Sequence, residues 1–255
     1  MKNCINKIAV FFVVGGMLGA LHTHTALAGT ACSLTKADFD NLESIQKDYS
    51  LEYSTEIKLE LATRKELLRK VLACATEDAT SLNANINKTK LDDPEAASLQ
   101  SQLSNQLDNA INYYKTQGTK VDDLGIQGSK DFAVNLSQWR EGNYKTIAQR
   151  ANNFAIWSEN RQIFKTAQTR ANQISQSVTL LRLVYDGNVQ NQWVEADAQF
   201  TDAKKMDQKA RGSMMSETPD VALISIKASL DSLAKTYEKM ALVINTINKE
   251  LALPE

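Results

Sequence analysis

Histidine, the residue most often used for acid–base and metal chemistry near neutral pH, occurs in this chain only as His22 and His24. Both lie in the first 28 residues, a stretch with the parts of a removable leader. Beyond it there is no Cys-x-x-Cys, no glycine loop able to cradle a phosphate, no dinucleotide fingerprint and no Gly-x-Ser-x-Gly elbow. The loop Asp122-Asp123-Leu124-Gly125 is acidic enough to suggest calcium. However, such loops need oxygen ligands at alternate positions, and Val121 and Leu124 fall where ligands would be wanted. The adjacent carboxylates Asp92 and Asp93 are explained by the helix start beside them. No enzymatic activity, cofactor or metal is expected.

Two groupings could still hold a ligand or partner. Arg150 and Arg161 stand eleven residues apart, three turns along one helix face, and could grip an anion; solvated arginines on a helix are the plainer account. Aromatic side chains gather between Tyr113 and Phe164, including Trp139, Tyr144 and Trp157. Bundles place ligand pockets between helices, and they also fill their cores with such residues. The candidate surface is therefore Trp139, Tyr144, Trp157, Arg150 and Arg161 with the adjoining Asp122 and Asp123.

Met1 to Ala28 carries Lys2 and Lys7 in a basic head, an apolar run from Ile8 to Leu21, and small residues at Ala26 and Ala28. That is the anatomy of a secretory signal, with cleavage expected after Ala28. The apolar run is shorter than the ~18 residues of a permanent span. Lipid attachment at Cys32 is disfavoured by Gly29, which sits where such sites want a large aliphatic residue. The expected location is exported: periplasmic, cell-envelope or extracellular. Removing Lys2 and Lys7 takes the 29 basic residues to 27 against 30 acidic ones. So slight an acidic excess offers nothing to nucleic acid or an anionic membrane.

Cys32 and Cys74 are then the remaining thiols, in a compartment that permits disulfides. On one straight helix they would lie roughly 60 Å apart, whereas a bridge needs Cα atoms within about 7 Å. Pairing within one chain demands a hairpin, with its turn between Asp48 and Thr55. Two free thiols or a bridge between chains are the alternatives.

Glycine and proline are scarce throughout 29–255, and a β-rich chain of that size would need many of both. Apolar residues recur at helical spacing instead. Thr35 with Asp38 is an N-cap pattern. Asp93-Pro94 opens a helix with Leu99, Leu103, Leu107, Ala110, Ile111 and Tyr114 on one stripe, ending at Gly118. A loop is expected over Thr119 to Ser129, with Ser129 capping a shorter helix that stops near Gly142. Around Tyr144 to Tyr185 the set Lys145-Thr146, Arg150-Ala151-Asn152 recurs twenty residues on as Lys165-Thr166, Arg170-Ala171-Asn172. Either the helix breaks near Ser158 to Asn160 or the copies face opposite ways by chance. Asp186-Gly187-Asn188 reads as a turn and Gly212 to Thr218 as a loop.

The strongest pattern is the last. From Leu223, alternate steps of three and four residues land on Ile226, Leu230, Leu233, Tyr237, Met240, Ile244, Ile247 and Leu251, an a/d seam of four heptads. Apolar residues off the seam make its face wider than a two-stranded zipper needs, so it is read as the spine of an intramolecular bundle.

The expected fold is all-α, an elongated helical bundle of five to seven helices with coiled-coil-like packing. The expected domains are the signal, 1–28, and a single bundle, 29–255, within which a hairpin 33–90 would join a bundle 94–253. The expected role is that of a non-enzymatic helical interaction or scaffold protein with protein partners, its monomeric form slightly favoured. The alternative is a small-ligand-binding bundle using the aromatics between Tyr113 and Phe164.

Overall fold

Helix α1, Lys36–Lys47, begins with the cap that its first residues encode. The Asp38 carboxylate accepts from the Thr35 amide at 2.7 Å and from its hydroxyl at 2.8 Å, satisfying a donor that a bare helix start leaves unpaired. The computed structural model describes residues 34–47, 52–180, 187–216 and 218–252. All regular structure among them is helical, and the fold is an all-α helical bundle. Residues 1–28, Cys32, residues 48–51 of the expected turn and Asp186 lie outside the described residues. Packing sorts the described chain into two compact units, a finer division than the single bundle read from the sequence. One comprises the residues up to Lys88 with Ser98–Ala148, the other Thr89–Ala97 with the residues from Gln149 onward.

In the first unit α1 lies against α2, Tyr53–Ile86. Ser54 and Thr55, expected in the turn, already form the first turn of α2, where the Thr55 amide bonds the Glu52 carbonyl. Gln46 near the end of α1 donates to Glu60 at 2.7 Å, and Asp38 at its start pairs with Lys70 at 2.7 Å. The two helices therefore run back along each other. Leu34 and Leu42 meet Leu67 and Cys74 in a buried cluster flanked by Phe39 and Val71. Arg64 is buried on the same Glu60 at 2.7 Å. Burial pushes the Glu60 carboxyl up, and the bonds from Gln46 and Arg64 outweigh it and hold the group below its ordinary value.

Helix α3, Pro94–Gly118, starts at Asp93, whose carboxylate accepts from the Glu95 amide at 3.0 Å. Its stripe of Leu99, Leu103, Leu107, Ala110, Ile111 and Tyr114 is buried throughout. A 3₁₀ turn, Val121–Asp123, follows with Val121 fully buried. Helix α4, Ile126–Trp139, then begins earlier than Ser129. That residue lies inside it, with its amide on Gly125 and its hydroxyl on Ile126. The reason is burial: Ser129 faces the core, and a back-bond to its own helix satisfies the hydroxyl there.

Gly142 does not end a helix. Arg140–Tyr144 forms a π-helical turn that runs directly into α5, Lys145–Leu180. Leu136, Arg140, Tyr144 and Ala148 are all buried and all four residues apart. At 100° per residue such a series drifts by about 40° per step. One extra residue taken up in a wide turn reverses that drift and keeps all four on one side.

The second unit is built from α5, α6 (Gly187–Ser213) and α7 (Pro219–Ala252). Gly187 and Asn188, expected in a turn, already belong to α6. Its core joins Phe164, Ala167, Ala171, Ile174 and Val178 of α5 to Ala196, Phe200 and Ala203 of α6 and to Leu233, Met240, Val243 and Ile247 of α7. Helices α6 and α7 run antiparallel: Ser229 donates to the Ala203 carbonyl at 3.1 Å, Lys239 pairs with Glu195 at 2.5 Å, and Thr246 donates to Gln192 at 2.9 Å.

Helix α5 passes Ser158 to Asn160 without a break. Its early buried residues Ala151, Phe154, Ala155 and Ser158 lie about 160° round the axis from the later Phe164, Ala167, Ala171 and Val178, while buried Asn153 and Trp157 already lie on the later side. The two similar segments do face opposite ways, and Ala151 and Ala171 are both buried because the early end of the helix is covered on both sides and its later part on one.

The seam of α7 is turned relative to the sequence reading. The d positions Ile226, Leu233, Met240 and Ile247 are buried, as are Ala222, Ser229, Thr236 and Val243, each one residue ahead of an a position. Leu223, Leu230 and Tyr237 are only half-buried, and Ile244 is exposed. Ser229 and Thr236 can face the core because their hydroxyls bond backbone carbonyls.

The cap of α1 gives a pH signature. The Lys70 ammonium and then the Thr35 bonds lower the Asp38 carboxyl to about 2, against an unfolded value near ~3.9. A depressed carboxyl stabilises the fold above its unfolded value and ceases to do so as pH falls through its folded one. Asp38→Asn should therefore be less stable than wild type in urea titrations at neutral pH, with the gap closing as pH falls toward 2; a gap independent of pH would contradict this account.

Candidate functional site

In the first unit four aromatic rings come together. Tyr113 of α3 stacks on Trp139 of α4 with centroids 3.7 Å apart. Tyr114 meets Tyr113, Trp139 and Tyr144 edge-on at 5.8, 5.3 and 5.6 Å. The three Tyr114 contacts have the edge-to-face geometry that aromatic quadrupoles favour, while Tyr113 and Trp139 lie nearly face to face. The π turn sets Arg140 and Tyr144 toward α2, where the Tyr144 hydroxyl donates to Asp78 at 2.8 Å. Arg140 reaches the same carboxylate oxygen at 3.5 Å and lies 5.1 Å over the Tyr144 ring. Burial first, and then the Asp78 charge, push the Tyr144 phenol well above its ordinary range, so it is a neutral donor. Burial raises Tyr114 likewise. The Tyr114 hydroxyl makes no hydrogen bond of normal geometry among the described residues, although the neighbouring Arg140 guanidinium offsets part of the rise that burial imposes on it.

In the second unit the centre is Asp207 of α6. It accepts from the Trp157 indole at 2.8 Å and from Arg161 at 2.6 Å, and the Arg161 guanidinium lies 5.1 Å over the Trp157 ring. Asp207 and Trp157 are buried. Burial pushes the Asp207 carboxyl up, and its two donors only partly offset that. One turn on, Arg211 grips Asp93 at 2.6 Å and Glu95 at 3.0 Å.

No protein-family model, curated protein or solved structure matches the chain.

The structure thus divides the candidate residues. Trp139 and Tyr144 share the aromatic cluster of the first unit. In that unit Asp122 is clamped to α2, where Lys65 donates to its carbonyl at 2.7 Å and Arg69 pairs with its carboxylate. Asp123 is exposed. Trp157 and Arg161 meet on Asp207 in the second unit, and there Arg150 donates twice to the Ser216 carbonyl, at 3.1 and 2.7 Å, holding the α6–α7 connection. Asn153 does the same for Pro219 at 2.8 Å. Chemically, both clusters are charge-compensated networks that join helices. Among the described residues no group of His, Cys, Asp or Glu side chains is placed to hold a metal ion.

Three residues central to these clusters do not stand out in the sequence reading. Tyr114 is read as part of a buried stripe and of the aromatic group, and nothing in the sequence marks its hydroxyl. Asp78 carries no local mark. Asp207 does: it continues the buried series Ala196, Phe200, Ala203, Asp207, Ala210 at helical spacing. A carboxylate on an otherwise apolar stripe signals a buried partner.

The two phenols make opposite expectations. Tyr144→Phe removes a donor from Asp78 and should cost about 1–3 kcal/mol, whereas Tyr114→Phe deletes a hydroxyl that makes no hydrogen bond of normal geometry and should be neutral or stabilising. Urea titration of both variants decides; a Tyr114→Phe loss as large as that of Tyr144→Phe would mean that its hydroxyl is satisfied in solution.

Proposed function

We propose that the protein is an exported, non-enzymatic helical scaffold that works through helix-to-helix contact with other proteins. The supporting observation is that the core stripe of α5 is longer than its cover. Ala167 and Ile174 are buried, but the same line continues toward the N-terminus as Ile156 and Ile163, which are 42% and 43% exposed. Large apolar side chains aligned on a surface helix are what a partner helix would cover. Among the described residues no helix is long and apolar enough to cross a membrane, so a bilayer-spanning use of these residues draws no support. Export is favoured by the make-up of Met1 to Ala28.

A photoreactive residue replacing Ile163 in the producing cell should yield discrete protein adducts. The same group at Asn172, exposed and about 180° round the same helix, should not. Absence of any adduct at Ile163, or the same adducts from both sites, would sink the reading.

The bridge Cys32–Cys74 belongs to this proposal. Cys74 is buried against Leu34, two residues beyond Cys32, and the hairpin of α1 and α2 brings those segments together. By chain entropy such a bridge would contribute up to about 4 kcal/mol. Peptide mapping of the non-reduced protein should recover one linked species containing both cysteines within a single chain; recovery of both as free thiols would refute it.

A further inference from the structure

The outward face of α7 has a sequence pattern that is complementary to its own reverse. Ile224, Lys227, Asp231, Lys235, Glu238 and Leu242 are all exposed, Ile224 at 65% and Leu242 at 49%. At 100° per residue they fall within an arc of about 80°, and Leu233, buried in the core, lies opposite them. Read from either end, the strip runs apolar, charged, charged, charged, charged, apolar, with the charge signs +, −, +, − in one direction and −, +, −, + in the other.

The spacing matters as much as the order. Ile224 with Leu242, Lys227 with Glu238, and Asp231 with Lys235 are each centred within half a residue of position 233. Lys227, Asp231 and Lys235 stand four residues apart, which suits pairing along one helix. None of the four charged side chains closes an ion pair with another described residue.

We propose that this face is the contact between two copies of the chain, their α7 helices antiparallel about a two-fold axis at the level of Leu233. In that arrangement Ile224 meets Leu242 of the second copy, Lys227 meets Glu238 and Asp231 meets Lys235, each contact occurring twice, as an isologous interface requires. Ala234, exposed beside the axis, allows close approach there. Parallel pairing would instead set Lys227 against Lys227 and Asp231 against Asp231, which charge repulsion disfavours.

The strip from Ile224 to Leu242 is about 27 Å long, short of the ~800 Å² per partner of a standard interface. The dimer is consequently one that dissociates on dilution and weakens with salt. The inference goes beyond the reading above: it requires neither export nor a partner for α5, and the adducts expected at Ile163 do not depend on it.

Sedimentation equilibrium of the purified chain at low salt, over a range of concentrations, tests it. Wild type should pass from monomer to dimer. Asp231→Lys and Lys235→Glu should each weaken the dimer about tenfold, since every reversal turns two attractions into repulsions. The double variant Asp231→Lys with Lys235→Glu should recover association close to wild type, because the reversed charges again face each other. A monomer at all concentrations overturns the proposal, as does a dimer indifferent to the single reversals or one that the double reversal leaves weak. As a second measurement, Ile224→Cys chains mixed with Leu242→Cys chains should oxidise to a product containing one of each. No mixed product, or Ile224→Cys chains joined to themselves, would also refute it.

Discussion

Ala196, Ala203 and Ala210 of α6 are entirely buried, and the Ser229 hydroxyl of α7 touches the Ala203 carbonyl. Contact between a side chain and the facing backbone requires helices closer than large side chains permit, and alanine is what allows it. Much of the second unit follows from that approach. Because α7 meets α6 through small residues, the positions it buries on that side are Ala222, Ser229 and Thr236 rather than large aliphatics. Its a positions are displaced to the margin, where Tyr237 packs on the edge of the core under the Arg170 guanidinium. The outward face is set at the same time, since fixing one side of a helix fixes the other.

Each buried charge is paired with a half-buried one of opposite sign. Glu60 with Arg64, Asp78 with Arg140 and Tyr144, and Asp207 with Arg161 and Trp157 each set a carboxylate among donors from a different part of the chain or the next helical turn. Removing one member would leave its partner buried and uncompensated, which costs more than the pair contributes. Such groups tie particular helices together in a way that interchangeable leucines do not. Tyr144, Trp157 and Arg161, ligand candidates by residue type, belong to these networks, whereas Arg150 holds the Ser216 carbonyl.

Much of the architecture is legible in residue spacing. The α3 stripe from Leu99 to Tyr114, the Asp93-Pro94 start, the Thr35–Asp38 cap and the d positions of α7 all stand where periodicity and cap chemistry put them. What resisted reading has a physical cause in each case. Gly142 is a local stop signal, but the burial of Arg140 and Tyr144 on either side of it overrides propensity. Ser129 looks like a cap because its hydroxyl favours helix starts, and only the core decides that it faces inward. Serine and threonine at Ser229 and Thr236 do not count as apolar, so periodicity alone places the buried face of α7 about 50° from its true position. In α5 no single stripe exists to be found. The candidate site was legible only as residue types, because pairs such as Tyr144 with Asp78 and Trp157 with Asp207 are joined over 66 and 50 residues of chain.

The double-sided burial of α5 also bears on how uniquely the bundle is specified. A helix with one apolar stripe can be reseated, sliding a heptad along its neighbours or rolling slightly without exposing anything new. Helical bundles are prone to such near-equivalent packings. Rolling α5 would bring Ala151 and Ala155 toward water on one side or Phe164 and Ala167 on the other. Sliding it would separate Trp157 from Asp207 and Asn153 from the Pro219 carbonyl together. A helix held from two sides has one seat, so this segment works as the key that keeps a fold of otherwise repetitive helices from having several solutions.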